Sequence, residues 1–251
     1  LDSEVTLRVV IFGATSAIAE QVALLYAERG ARLHLVGRDA AKLARVAERC
    51  AGAVVTTEAQ DFTRLPENAM VVERAAVALG GIDVALVAHG DLGDQLASER
   101  DFEHAESVLT VNFTSVVSLL VPLANLFEAQ GRGQIGVITS VAGERGRPRN
   151  YTYGAAKGAL NVYLQGLRSR LYPKGVGVTT LKLGPVDTPM TRDHRKNALF
   201  AEPESVARAI VHALDARASE VFVPAVWRLI MPLVKMVPEP IFQRLGFLSK
   251  R

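Results

Sequence analysis

The 251-residue chain has little cysteine and little surplus charge, and each shortage removes a class of function. Its single cysteine, Cys50, leaves no intramolecular disulfide and no multi-cysteine metal site. A reducing compartment is therefore expected, with Cys50 reading as a small apolar residue late in a helix. Lysine plus arginine number 29 against 26 acids, a net charge of +3, and no basic block is interleaved with aromatics, which argues against nucleic acid as a partner. His34, His104, His194 and His212 show no metal-ligand spacing, and no metal is expected. The opening Leu-Asp-Ser-Glu-Val lacks a basic segment followed by an apolar one, so no secretory signal is expected; with Leu1 in first place, a trimmed leader stays open. No internal repeat or low-complexity linker divides the chain, which favours one domain.

What is present fits a buried α/β domain, with 49% hydrophobic and 22% charged residues. Continuous apolar runs of strand length recur at Arg8 to Phe12, Arg32 to Val36, Ala53 to Thr57, Ile82 to Ala88, Gln134 to Thr139, Gly177 to Leu183 and Glu220 to Val223. Helical periodicity separates most of them, as in Ala17 to Arg29, Ala40 to Cys50 and Glu67 to Leu79. Continuous rather than alternating apolarity suits strands buried on both faces. The pattern predicts a single Rossmann-type, doubly wound parallel sheet with helices on both sides.

Ser140 closes the fifth run, and Tyr153 follows thirteen residues later with Lys157 four further on. On a helix, Tyr153 and Lys157 share a face and can act on one substrate atom. A phenol is a poor acid or base at neutral pH unless a neighbouring cation stabilises its anion, and Lys157 is placed to supply that charge. Ser140 can hold a substrate oxygen while Tyr153 gives or takes its proton, the geometry expected for carbonyl reduction or alcohol oxidation. Tyr151 is the rival phenol, but only Tyr153 has a lysine at the four-residue spacing.

With Gly13-Ala-Thr-Ser-Ala-Ile-Ala19 after the first strand, Asn112, Ser140, Tyr153, Lys157 and Gly184-Pro-Val-Asp-Thr188, the chain resembles the short-chain dehydrogenase/reductase family from about Thr6 to Val223. The resemblance implies a dinucleotide-binding and catalytic domain over residues 1–223, with 224–251 as an extension of the same domain. It also implies that Asn112, Ser140, Tyr153 and Lys157 are catalytic, Asn112 supporting a water relay to Lys157, and that Lys157 holds the nicotinamide ribose. Gly13, Thr15, Ser16, Ile18, Arg38, Asp61, Phe62, His89, Gly90, Tyr153, Lys157, Pro185, Val186 and Thr188 would form the cofactor site. Asp61 would contact adenine and Thr188 the carboxamide. Homo-oligomers are implied through the helices around Asn112 to Gln130 and Tyr151 to Leu171.

Two segments depart from the family pattern. Its first turn carries three glycines, whereas here Ala17 and Ala19 take two of those places, and Ala17 adds a methyl where backbone and phosphate approach. Gly13 can still make the turn, and the following helix N-terminus can still meet a pyrophosphate. Val87-Ala-His-Gly90 stands where the family often has Asn-Asn-Ala-Gly; His89 is expected to be a structural hydrogen-bonding residue. At the second strand end, Gly37 occupies the place of the carboxylate that would bind a ribose hydroxyl, and Arg38 can pair with a 2′-phosphate. NADP(H) is therefore expected over NAD(H), with Asp39 as a helix cap.

Arg145, Arg147 and Arg149 lie in the loop between Ser140 and Tyr153, where they either bind an anionic substrate group or form a solvated loop paired with Glu144 and other acids. The stretch Thr191 to Glu202 is expected to be a substrate lid. Beyond Pro224, Trp, Leu, Ile, Met and Phe are interleaved with Arg and Lys, and Arg228, Pro232 and Lys235 interrupt any run long enough to span a bilayer. The segment suits a membrane interface, a cover for the sheet edge or a subunit contact. This tail and Ser-Val-Ala-Gly-Glu-Arg-Gly-Arg resemble the branch related to decaprenylphosphoryl-2-keto-ribose reductase, whose substrate is lipid-linked. The expectation is a cytoplasmic carbonyl/alcohol oxidoreductase, with contact to the membrane surface through the tail. The alternatives are a non-catalytic dinucleotide-binding regulator or scaffold, and a membrane-recruited partner protein.

Overall fold

Alternate residues of the first strand, β1 (Arg8–Phe12), divide between two cores: Val9 and Ile11 enter one apolar cluster, Val10 and Phe12 another. Such a strand must be covered on both faces. In the computed structural model, which describes residues 6–192, 196–197 and 199–245, β1 pairs in parallel with β2 (Arg32–Gly37) and with β4 (Val84–Val87). With β3 (Val55–Ala59), β5 (Gly133–Ser140), β6 (Val176–Leu183) and β7 (Glu220–Val223) they form one seven-stranded parallel sheet, ordered 3-2-1-4-5-6-7. The expected doubly wound sheet is thus the fold.

One face carries α1 (Ala17–Glu28), α2 (Ala40–Arg49) and, later in the chain, α8 (Pro203–Asp215), whose buried residues join Ile11, Leu33 and Leu181. The other carries α3 (Asn68–Leu79), α6 (Ser115–Gln130) and α7 (Tyr151–Leu171), packed on Phe12, Ile135 and Val178. Two short helices, α4 (Gln95–Ser98) and α5 (Phe102–Leu109), lead from β4 toward α6. Between α5 and α6 lies a π-helical turn, Thr110–Thr114, a wide turn common where a helix presents a functional residue. The run Phe102–Gln130 is apolar and long enough to cross a bilayer by length and composition, but Leu119, Leu120, Leu123 and Phe127 are fully buried against the sheet.

Strand β3 begins two residues later than the apolar run suggests. Gly52, at φ +94°, and the Ala53 N–H to Cys50 carbonyl bond of 3.2 Å close a turn first, so pairing starts from Val55. The tail forms α9 (Trp227–Met236) and α10 (Glu239–Phe242). Trp227, Met231 and Val234, spaced along one side of α9, bury with Phe242 against Val141, just after Ser140. Of the three roles open to the tail, this inner face covers the chain's own core. His194 and positions 193, 195 and 198 of the expected lid lie outside the described residues, as do 246–251.

Candidate functional site

The strand order reverses between β1 and β4, which opens a crevice at their C-terminal ends. Gly13 sits there at φ +84°, and a Cβ on it would lie 2.6 Å from the His89 backbone nitrogen, so only glycine fits the turn. The N–H groups of Gly13 and Ala14 donate to the Val36 carbonyl at 2.8 and 3.0 Å, tying the turn to β2. Ser16 then caps α1, its Oγ accepting the Ala19 N–H at 3.2 Å. Ala19, one of the two alanines in place of glycine, is fully buried in the core cluster under α1; Ala17, Thr15 and Ile18 are half-buried.

Arg38 is exposed at the end of β2 and has no ion-pair partner among the described residues. Its neighbour Asp39 is committed as the expected cap of α2, accepting the Lys42 N–H at 3.0 Å, and this hydrogen bond holds its carboxyl below the usual range. Arg38 overlooks the same crevice as Asp61 and His89, whose protonation its charge disfavours in both. Asp61 accepts from the Thr63 N–H at 3.0 Å and hydroxyl at 2.8 Å, and Phe62 lies between Phe12 and the His89 ring, 4.5 Å from the latter.

His89 Nε2 is 2.8 Å from Ser115 Oγ. That hydroxyl donates to the Val111 carbonyl at 2.8 Å, so it accepts from Nε2 and leaves Nδ1 a bare, buried acceptor. Burial, with the charges of Lys157 and Arg38, pushes the imidazole down to about 3, and the ring is neutral. His89 thus makes the structural hydrogen bond expected of it.

Ser140, Tyr153 and Lys157 come together where β5 ends and α7 begins. Ser140 Oγ accepts the Ala142 N–H at 3.1 Å and donates to the Leu183 carbonyl at 3.4 Å, and its hydroxyl favours the ionised form of the Tyr153 phenol. Lys157, 2% exposed, donates from Nζ to the Ile138 carbonyl at 3.3 Å and lies 5.7 Å from the centre of the Tyr153 ring. Asn112, in the π turn, is fully buried. Its Nδ2 donates to the carbonyls of Asp91 at 2.6 Å and Val108 at 2.9 Å, and its Oδ1 accepts the Asp91 N–H at 3.1 Å. Gly90 passes between the two: a Cβ there would lie 2.8 Å from Asn112 Oδ1 and 3.3 Å from Lys157 Nζ. Asn112 therefore fixes the loop that runs over the lysine.

The expected lowering of the phenol's pKa is not the net result in this pocket, where burial prevails. Exclusion of water pushes Tyr153 up to about 12, aided by Asp91 and opposed by the Ser140 hydrogen bond, and the same exclusion pulls Lys157 down to about 8. At neutral pH the pair is a protonated phenol beside an ammonium group.

The loop after Ser140 is anchored to the tail, and this corrects the expected role of one arginine. Arg145 donates to the carbonyls of Val234 at 2.9 Å, Lys235 at 3.2 Å and Val237 at 2.6 Å, pairs with Glu239 at 2.8 Å and stacks over Phe242. It closes the C-terminus of α9, with its charge paired to Glu239. Glu144, expected to neutralise loop arginines, instead joins Lys182 of β6 at 2.6 Å and Lys235 of α9 at 3.1 Å. Gly184 is covered by the Trp227 indole. Beyond it, Pro185 accepts the Ala201 N–H at 3.0 Å, Val186 is buried, and Thr188 heads a short turn through Thr191. Asp187, Thr188, Pro189, Arg192 and Lys196 line a cleft of about 290 Å³.

Four of these residues carried no signal in the sequence reading. Gln95 accepts the Thr152 N–H at 3.0 Å and so fixes the start of α7; Asp91, Ser115 and Lys182 act through partners distant in sequence. Lys182 had one available cue, a charge inside the apolar run of β6.

Comparison with known proteins places this geometry. Residues 8–199 match the family model described as short chain dehydrogenase. An uncharacterized oxidoreductase of Mycobacterium tuberculosis is 35% identical over 240 residues, covering 94% of this chain and 96% of the relative. An uncharacterized oxidoreductase from the mprA 5′ region of Streptomyces coelicolor is 34% identical over 238 residues, 94% of each chain. Among solved structures, a short chain dehydrogenase/reductase family protein superposes with a TM-score of 0.78 at 26% identity, over 86% of this chain and 94% of that one. A variant of actinorhodin polyketide ketoreductase with NADPH shares the fold, with a TM-score of 0.78 at 22% identity over 86% of this chain and 95% of that one.

Proposed function

The chain belongs to the short chain dehydrogenase family, and we propose that within it the protein is an NADP(H)-dependent oxidoreductase interconverting a carbonyl and a secondary alcohol. The observation that carries this reading is the meeting of the half-buried Tyr153 with Ser140, whose hydroxyl bears on its phenol, and with Lys157, buried on the same helix face beside it. Features that support a dinucleotide in the crevice are the tight turn at Gly13, the N-terminus of α1 that follows it, and Arg38, which has no ion-pair partner among the described residues. Bound there, the dinucleotide supplies or accepts the hydride.

The chain's own groups handle the oxygen and its proton. Ser140 Oγ holds the carbonyl oxygen, and the neutral phenol of Tyr153 donates its proton to it as negative charge develops. Lys157, cationic below about pH 8, stabilises the phenolate left behind. Asn112 keeps the Gly90–Asp91 loop over this pair. The non-catalytic alternative is not favoured, since the relatives compared are named oxidoreductases.

Fluorescence titration with NADPH and NADH tests the cofactor. Wild type should prefer NADPH, and Arg38→Ala should weaken NADPH by about 10- to 100-fold, the worth of one charge-assisted hydrogen bond, with NADH unchanged. Equal affinity of the wild type for both would remove the NADP assignment; binding of neither would end the whole reading.

We also propose a lipid-linked or amphiphilic substrate, handled in the cytoplasm at the membrane surface. Supporting it, Leu229, Leu233 and Met236 line the outer side of α9 at 72%, 62% and 69% exposure, opposite its buried side, with Arg228 among them. Sedimentation with anionic vesicles should carry wild type down and leave a Leu229→Ser, Leu233→Ser, Met236→Ser variant in solution; no binding by wild type removes the membrane contact. Homo-oligomers are proposed through α6 and α7, where Val121 and Val162 are exposed; a chain that sediments as a monomer would end that.

A further inference from the structure

The three loop arginines differ in what they have for partners. Arg145 is held by three carbonyls, Glu239 and Phe242. Arg147, two residues on and half-buried, has no carboxylate in ion-pair reach among the described residues, and its Nε is buried with no hydrogen-bond partner. Burial and the like charge of Arg149 both press against its protonation. A partly desolvated guanidinium without an acceptor destabilises the fold, and a side chain as long as arginine readily reaches water or an acid when nothing holds it back. Its backbone is pinned: the Arg147 carbonyl accepts the Asn150 N–H at 3.1 Å, and the Asn150 carbonyl accepts the Gly154 N–H at 2.8 Å. Arg147 is thus held just ahead of α7, whose first turn carries Tyr153 and whose N-cap residue, Asn150, provides no side-chain cap.

We propose that Arg147, with Arg149 beside it, is a subsite for an oxyanion, a phosphate or a carboxylate, carried by the carbonyl substrate. The inference rests on the reductase reading and names its substrate class. A guanidinium offers paired N–H donors that match an oxyanion. The oxyanion would seat beside the loop that joins Ser140 to Tyr153 and so orient the carbonyl toward the phenol. Arg38 lies at the other end of the crevice, on β2, and serves the cofactor, so the two anion sites are separable by mutation.

The test titrates inorganic phosphate by calorimetry into protein saturated with NADPH. Wild type should bind phosphate; Arg147→Gln should weaken it by at least about tenfold, Arg147→Lys should recover part of the loss, and NADPH affinity should stay within about twofold in all. Phosphate binding by Arg147→Gln equal to wild type, or none by wild type, overturns the subsite. If NADPH itself does not bind, the reductase reading fails separately, and the difference between wild type and Arg147→Gln titrated without cofactor still decides the subsite. Arg147→Met should melt at or above the wild-type temperature, because it removes a cation with no partner; a clear fall would show that Arg147 supports the fold and would overturn the proposal. Vesicles of phosphatidic acid against phosphatidylcholine identify the source. Competition by the former with phosphate, lost in Arg147→Gln, assigns the oxyanion to a lipid headgroup, and its absence assigns it to a soluble phosphate or carboxylate.

Discussion

Replacing Tyr153 with phenylalanine should lower turnover by about 10²- to 10⁴-fold, the usual worth of a positioned acid or base, while NADPH affinity stays within about threefold. The phenol is held in reserve by its surroundings: burial and Asp91 push it up to about 12, so at neutral pH it carries the proton that a reduced carbonyl oxygen must receive. Phenylalanine preserves the ring that packs 5.7 Å from Lys157 Nζ and removes only the hydroxyl that meets Ser140. Stability should therefore change little, since one hydrogen bond is lost together with the cost of burying its donor. The paired control is Tyr151→Phe. Tyr151 is 45% exposed, and its substitution should leave turnover within about twofold. Loss of activity in Tyr151→Phe and its retention in Tyr153→Phe would reverse the assignment.

The legible parts of this molecule are those fixed by local pattern. Arg8 to Phe12 and Gly177 to Leu183 read as buried strands because a parallel strand covered on both faces needs apolar side chains in succession; the first is β1, and the second is β6 short of its first residue, Val176. The spacing of Tyr153 and Lys157 was meaningful because a helix turns that distance into proximity. Gly13 could be read as a turn residue, yet the reason it must be glycine, the backbone of His89 alongside, is a contact across 76 positions of chain, the difference between the two residue numbers.

What escaped the sequence depends on such distant partners. The π turn that places Asn112 over Gly90 leaves no mark in Thr-Val-Asn-Phe-Thr, because one extra residue per turn costs little locally and is selected by the loop it holds. Arg145 and Arg147 look equivalent in Arg-Gly-Arg, and only the arrival of α9 separates them, taking one as a helix cap and leaving the other's Nε without an acceptor among the described residues. The tail shows the same limit. Its apolar residues fall on two opposite sides of α9, one buried on Val141 and one exposed, and composition cannot divide a helix that is apolar on both.

Lys157→Met should stabilise the protein at pH 7 and remove a rise in stability that wild type shows between about pH 8 and 10.5. The lysine's folded pKa, about 8, lies below its ordinary 10.5, and burial is the cause. Between those values the unfolded chain keeps a proton that the folded chain has lost, so unfolding takes up protons and stability increases with pH. Below pH 8 the folded protein holds a buried ammonium at a disadvantage on the order of 3 kcal/mol, from about 1.4 kcal/mol per pKa step. Methionine fills the same space without the charge. Chemical denaturation across pH 7 to 10.5 should thus show wild type climbing toward the variant; parallel curves would mean that Lys157 titrates as a solvated amine and that the pocket is open to water. Tyr153 acts in the opposite sense, because its pKa is raised: stability falls as the pH rises from 10 toward about 12, a limb that Tyr153→Phe should reduce and that Tyr26, also raised by burial, should leave in part. Reductive turnover in wild type should decline through about pH 8, as the ammonium that stabilises the departing phenolate is lost. A cation that weakens the fold at the pH where it serves the reaction is retained for chemistry, and the two pH profiles, of stability and of rate, should cross the same pKa in opposite directions.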